Sequence, residues 1–167
     1  MDRRVFAILT AMVLLSLLFF YTRKTFKVYE IKIVGDEDFK DKVEKALRME
    51  KVRYEIVSDS RVVFDQKSKT LTIDGVVYHL YWSDSILKDL KREIELLGLD
   101  VNDIRLIPKG GEMEVLKSAI EIVKTGYSEN FSDGYLYLPI EVLDSSGDLL
   151  LRYDPKKMEF EYDLHGG

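Results

Sequence analysis

The amino-acid sequence predicts an α+β protein: an N-terminal transmembrane helix, then one soluble domain of mixed or antiparallel sheet with about three helices. Three observations carry this expectation. An uncharged run fills residues 5–21. Apolar residues recur at helical spacing in three later segments, two of them opened by acidic or capping residues and one by a glycine pair. Short β-branched and aromatic stretches lie between and after those segments, several alternating with charged residues.

The run reads VFAILTAMVLLSLLFFY, with Thr10 and Ser16 its only strongly polar members. As a helix it would rise roughly 25 Å, near the short end of what spans a bilayer. Val5, Leu9, Val13 and Leu17 mark its apolar length, and Phe20 and Tyr21 suit an interface. A cleavable signal peptide needs small residues after the apolar core, and Tyr21, Thr22, Arg23 and Lys24 do not supply them. The run therefore reads as an uncleaved signal anchor, giving residues 1–27 as anchor and connector and 28–167 as the domain. The dibasic lead of Arg3 and Arg4 resembles an export signal, which places a single-pass protein in the cell membrane with its domain extracytoplasmic. Arg23, Lys24 and Lys27 nearly balance that lead. A cytoplasm-facing accessory subunit of a membrane complex is the competing arrangement.

Residues 29–33 alternate as a strand, with Tyr29, Ile31 and Ile33 on one face. Asp36, Glu37 and Asp38 form an acidic first turn for a helix whose stripe is Phe39, Val43, Ala46 and Leu47. Residues 54–57 and 61–64 read as short strands, and Leu71 with Ile73 as another. Asp74-Gly75 reverses the chain into a strand over 76–82. Ser83 or Asp84 caps a helix with stripe Leu87, Leu90, Ile94 and Leu97, stopped by Gly98. A strand at 104–107 leads through Pro108-Lys109-Gly110-Gly111 into a helix carrying Leu116, Ala119, Ile120 and Val123. Residues 128–134 read as a mobile loop, and 135–142, 149–153 and 158–164 as closing strands. Similar patterns recur at offsets of 73 and 89 residues: Ile31 matches Ile104, and Phe64-Asp65 matches Tyr153-Asp154. They suggest two pseudo-repeated β-α-β-β halves.

Composition narrows the function classes. Cys is absent, so disulfides, thiolate metal sites and a Cys nucleophile are excluded. Gln66 is the only Gln, and Asn102 and Asn130 are the only Asn, a profile that leans towards heat adaptation. Residues 1–27 carry a net +4, and removing that from the whole-chain −5 leaves −9 on the domain. A body that acidic repels phosphate backbones, so no nucleic-acid partner is expected.

Two His residues, 79 and 165, have no metal-ligand spacing around them. No Ser occupies a G-x-S-x-G elbow. No catalytic residue, metal or cofactor is assigned. The stretch around His79, Tyr81 and Trp82 presents aromatic, hydrogen-bonding side chains on a strand, which suits recognition of a protein or glycan partner. Asn130 and Phe131 sit in the expected mobile loop, where Asn130-Phe131-Ser132 is an N-x-S acceptor if exported. The expectation is a membrane-anchored, non-enzymatic binding domain. An extracytoplasmic hydrolase using paired carboxylates on glycan or cell-wall substrates is the alternative.

Overall fold

The computed structural model describes residues 2–25 and 27–161, with the side chains of 20–25 excepted. It is α+β, with four helices and eleven strands in two sheets among the described residues.

Helix α1, Arg3–Thr25, is exposed along its described side chains, Val5, Leu9, Val13 and Leu17 included. Among the described residues no helix is long and apolar enough to cross a membrane. This corrects the expected transmembrane signal anchor, and with it the single-pass topology and the cell-membrane localisation. The physical reason is length. Arg3 and Arg4 stand in the first turn of the helix and Arg23 and Lys24 in its last, so the uncharged stretch covers residues 5–22. That stretch rises about 27 Å, against a hydrocarbon layer of about 30 Å. Phe20 and Tyr21, expected at an interface, have side chains outside the described residues. The extracytoplasmic placement rested on the anchor and falls with it.

The domain begins with β1, Val28–Val34, whose Ile31 and Ile33 turn inward. Asp36 then caps α2, Glu37–Met49, by accepting the Phe39 N–H at 2.8 Å. The stripe of Phe39, Val43, Ala46 and Leu47 is buried. β2, Arg53–Ile56, returns parallel to β1 on one side, and β3, Val62–Asp65, runs parallel to it on the other. β4, Thr70–Ile73, and β5, Val76–His79, continue as an antiparallel meander. Asp74 and Gly75 both have positive φ, the type I′ geometry that an Asp-Gly hairpin favours. β5 stops three residues before the expected end, and Trp82 leaves the strand to enter the core.

Ser83 caps α3, Asp84–Leu96, and a 3-10 turn at Val101–Asp103 leads to β6, Arg105–Pro108. α4 spans Gly111–Thr125. The expected mobile loop is instead a small hairpin of β7, Phe131–Ser132, and β8, Tyr135–Leu136. Asp133 and Gly134 have positive φ and form its turn. The strand expected over 135–142 divides at Pro139, whose missing N–H interrupts a ladder. β8 joins the first sheet, and β9, Ile140–Leu143, joins the second with β10, Leu149–Asp154, and β11, Glu159–Glu161. Residues 162–164 of the expected last strand lie outside the described residues.

The first sheet is mixed, in the order β2-β1-β3-β4-β5-β8-β7; the second is antiparallel, β11-β10-β9-β6. The two pseudo-repeated halves are not found in this topology. β3 lies parallel beside β1, whereas β9 lies antiparallel beside β6 and separates it from the β10–β11 hairpin.

Two apolar cores result. One packs Ile31, Phe64 and Leu71 under α2 and under Leu116, Ala119 and Ile120 of α4. The other gathers Leu90 and Ile94 of α3, Val115 and Ile122 of α4, and Ile140, Val142 and Tyr153 of the second sheet. α4 therefore belongs to both.

Candidate binding cleft

A cleft of about 320 Å³ opens where the first sheet meets β6 and α4. One wall starts from the turn between β1 and α2. A Cβ at Gly35 would lie 2.6 Å from Phe39 Cδ1 and 2.7 Å from Gln66 Oε1, so only glycine lets these groups close up. Gln66 donates its backbone N–H to Val34 O at 2.8 Å. Its side chain accepts the Asp36 N–H at 2.8 Å and donates to Asp36 Oδ2 at 3.2 Å. The Phe39 N–H, and next the Gln66 amide, hold the Asp36 carboxyl below the ordinary carboxylate range. Phe39 and Gln66 line the cleft from this braced corner.

The opposite side is the end of β5. Leu80 donates its N–H to Lys69 O at 2.8 Å, which brings Lys69 to the rim. Tyr81 is half-buried and Trp82 buried, its indole Nε1–H donating to Leu138 O at 2.8 Å. Leu106 and Pro108 of β6, Val115 and Leu116 of α4, and Leu136 of β8 complete an apolar lining. Among the described residues, β6 is the outer strand of its sheet and pairs with β9.

Glu112, in the first turn of α4, is the one carboxylate among the lining residues. Lys42 Nζ lies 3.0 Å from its Oε2 and 2.9 Å from Asp38 Oδ2. Asp38, and then Glu112, raise the Lys42 ammonium above the ordinary lysine range, so it stays charged. Lys69 has no ion-pair partner among the described residues.

The residues singled out in the sequence divide between places. Tyr81 and Trp82 line the cleft. His79 lies beside it, its ring stacked on Tyr135 with centroids 4.4 Å apart and 11° between planes. Tyr81 meets the same imidazole edge-on at 5.5 Å. The His79 Nδ1 is buried without a hydrogen-bond partner among the described residues. Phe131 is buried in the second core and Asn130 braces α4, donating its Nδ2–H to Ser118 Oγ at 2.7 Å. Neither lines the cleft. The amide of the N-x-S triplet is thus already engaged. His165 lies outside the described residues.

Sequence reasoning missed Phe39, Gln66, Lys69 and Glu112 as cleft residues, and Tyr135 as the partner of His79. The spacing of Gly35 and Asp36 before an amphipathic helix was the one local signal, because it marks a tight corner. Tyr135 left none, since its pairing with His79 is a single non-local register contact.

An apolar cavity of this size with two rim charges fits a small apolar group better than a reaction needing paired acids. Among the described residues no group of three or more His, Cys, Asp or Glu is placed to hold a metal ion. No family model, no curated protein and no solved structure matches the chain.

Proposed function

We propose that the domain is a non-enzymatic binding module that takes an apolar side chain of a protein partner into the cleft beside Tyr81 and Trp82. The observation that carries this reading is the lining: mostly aromatic and aliphatic walls around about 320 Å³. A protein partner fits better than a glycan, because sugar recognition needs several convergent hydrogen-bonding groups and this interior offers few. The carboxylate-hydrolase reading gains nothing here, since the single lining carboxylate, Glu112, is held by Lys42 at 3.0 Å.

Trp82 is the chain's only Trp, so its emission reports on the cleft without labelling. Peptides selected by panning a random library against the full chain should carry an apolar or aromatic residue and shift Trp82 emission. Tyr81→Ala should weaken them by roughly fivefold or more, as loss of an aromatic contact costs about 1 kcal/mol. Peptides that bind without altering Trp82 emission would place the interaction elsewhere and sink the reading.

A further inference from the structure

We propose that the chain forms a two-fold dimer by antiparallel pairing of β2 with β2 of a second copy, centred on Tyr54. The surface is a sheet edge, and its occupant is the same edge of another molecule.

Among the described residues four strands stand at the edges of the two sheets: β2, β7, β6 and β11. An open edge presents N–H and C=O groups that another strand can take up. Three of the four are guarded. β7 has two residues, β6 ends in Pro108, which has no N–H, and β11 reads Glu159-Phe160-Glu161. Were β11 to meet its own copy about Phe160, Glu159 would stand opposite the second copy's Glu161, a like-charge pair on each side.

β2 has none of these guards. It reads Arg53-Tyr54-Glu55-Ile56, with Arg53, Glu55 and Ile56 exposed. Pairing about Tyr54 sets Arg53 opposite the second copy's Glu55 and Glu55 opposite its Arg53, so two opposite-charge pairs form on one face. Glu55 also stands beside Glu30 of β1 in the parallel register, and neither carboxylate has an ion-pair partner among the described residues. An arriving arginine offsets that like-charge contact.

The backbone agrees with this register. Val57 donates its N–H to Ile31 O at 3.0 Å, so the alternation of the ladder turns the N–H and C=O of Tyr54 and Ile56 to the open side. Tyr54 can then exchange both of its hydrogen bonds with the second copy's Tyr54. Centring the pair on Glu55 would set that carboxylate against its own copy, and centring it on Ile56 would run past the end of the strand. Four residues make a small contact, so the dimer belongs with weak, reversible interfaces.

Sedimentation equilibrium of the full chain over about 1 µM to 1 mM, the range of a weak pair, should show monomer and dimer exchanging. Arg53→Glu and Glu55→Arg should each weaken association roughly tenfold or more, because each turns two attractive pairs into two repulsive ones. An equimolar mixture of these two variants should recover it, since the mixed dimer restores both pairs. That recovery also shows that neither variant is unfolded. The chain has no Cys, so Tyr54→Cys supplies a single thiol. At the axis, with Cα atoms about 5.5 Å apart, it should oxidise to a disulfide-linked dimer. A wild-type chain that stays monomeric throughout overturns the dimer. Association that neither reversal changes places the contact elsewhere, on exposed α1 for instance, and overturns it too. Weakening without recovery in the mixture, or a Tyr54→Cys chain that stays reduced, overturns the register and the proposal with it.

Discussion

Two hairpins of this domain are built alike and used differently. The β3–β4 turn runs from Asp65 to Thr70 and the β10–β11 turn from Asp154 to Glu159, each across four residues. In both, the leading Asp folds its carboxylate over the turn. Asp65 Oδ1 accepts the Ser68 N–H at 3.0 Å, and Asp154 Oδ1 accepts those of Lys156 and Lys157 at 2.9 and 3.4 Å. Both close with a non-glycine residue in the left-handed region, Lys69 at φ 53° and Met158 at φ 55°. The residues before the turns, Phe64 and Tyr153, are buried in different cores. The difference lies in the position after the Asp. Gln66 reaches back to brace Asp36 and one wall of the cleft, whereas Pro155 has no side-chain donor to offer. Local turn chemistry is thus interchangeable; what it supports depends on the sheet beside it.

The deepest test of the likeness is to empty both cores next to the turns. Phe64→Ala and Tyr153→Ala should each cost about 3–5 kcal/mol in urea unfolding. A cost under about 1 kcal/mol at either position would show that its hairpin is not anchored as described. The carboxylates should separate the pair. Asp154 is buried and holds two N–H groups, so Asp154→Ala should lose about 1–3 kcal/mol. Asp65 is half-buried and holds one, so Asp65→Ala should lose about 0.5–1 kcal/mol, and equal losses would contradict the difference in burial. The smallest effect should be shared. Lys69→Gly and Met158→Gly each relieve a left-handed side chain, and each should raise the melting temperature by the equivalent of about 0.5 kcal/mol. Opposite signs would mean that the two turns differ in strain.

The hairpin recurrence was legible in the sequence because a turn is a local object: Phe64-Asp65 and Tyr153-Asp154 announce it within six residues. The inferred duplication was not there, because strand order is not a local property. The same limit explains the pair of Asp-Gly turns. Asp74-Gly75 was recognised between strands long enough to show a pattern, but Asp133-Gly134 joins strands of two residues and passed for a loop. Helix α2 was read correctly from its stripe. For α4, Leu116, Ala119 and Ile120 were found, but the buried Val115, Ser118 and Ile122 were not, since a one-sided stripe was assumed. The anchor reading of residues 5–21 rests on their uncharged composition and on the basic and aromatic residues at their ends, and the helix they form is not long and apolar enough to cross a membrane. Of the cleft, only Tyr81 and Trp82 were visible, because its other walls come from segments distant in the chain.

Helix α4 has a consequence for how the domain comes apart. Its two buried stripes are the shared wall of both cores, so neither sheet can shed its apolar cover without disturbing the packing of the other. The domain should then open as one cooperative unit. Amide protons of residues 115–122 would exchange with solvent only when the whole domain is open.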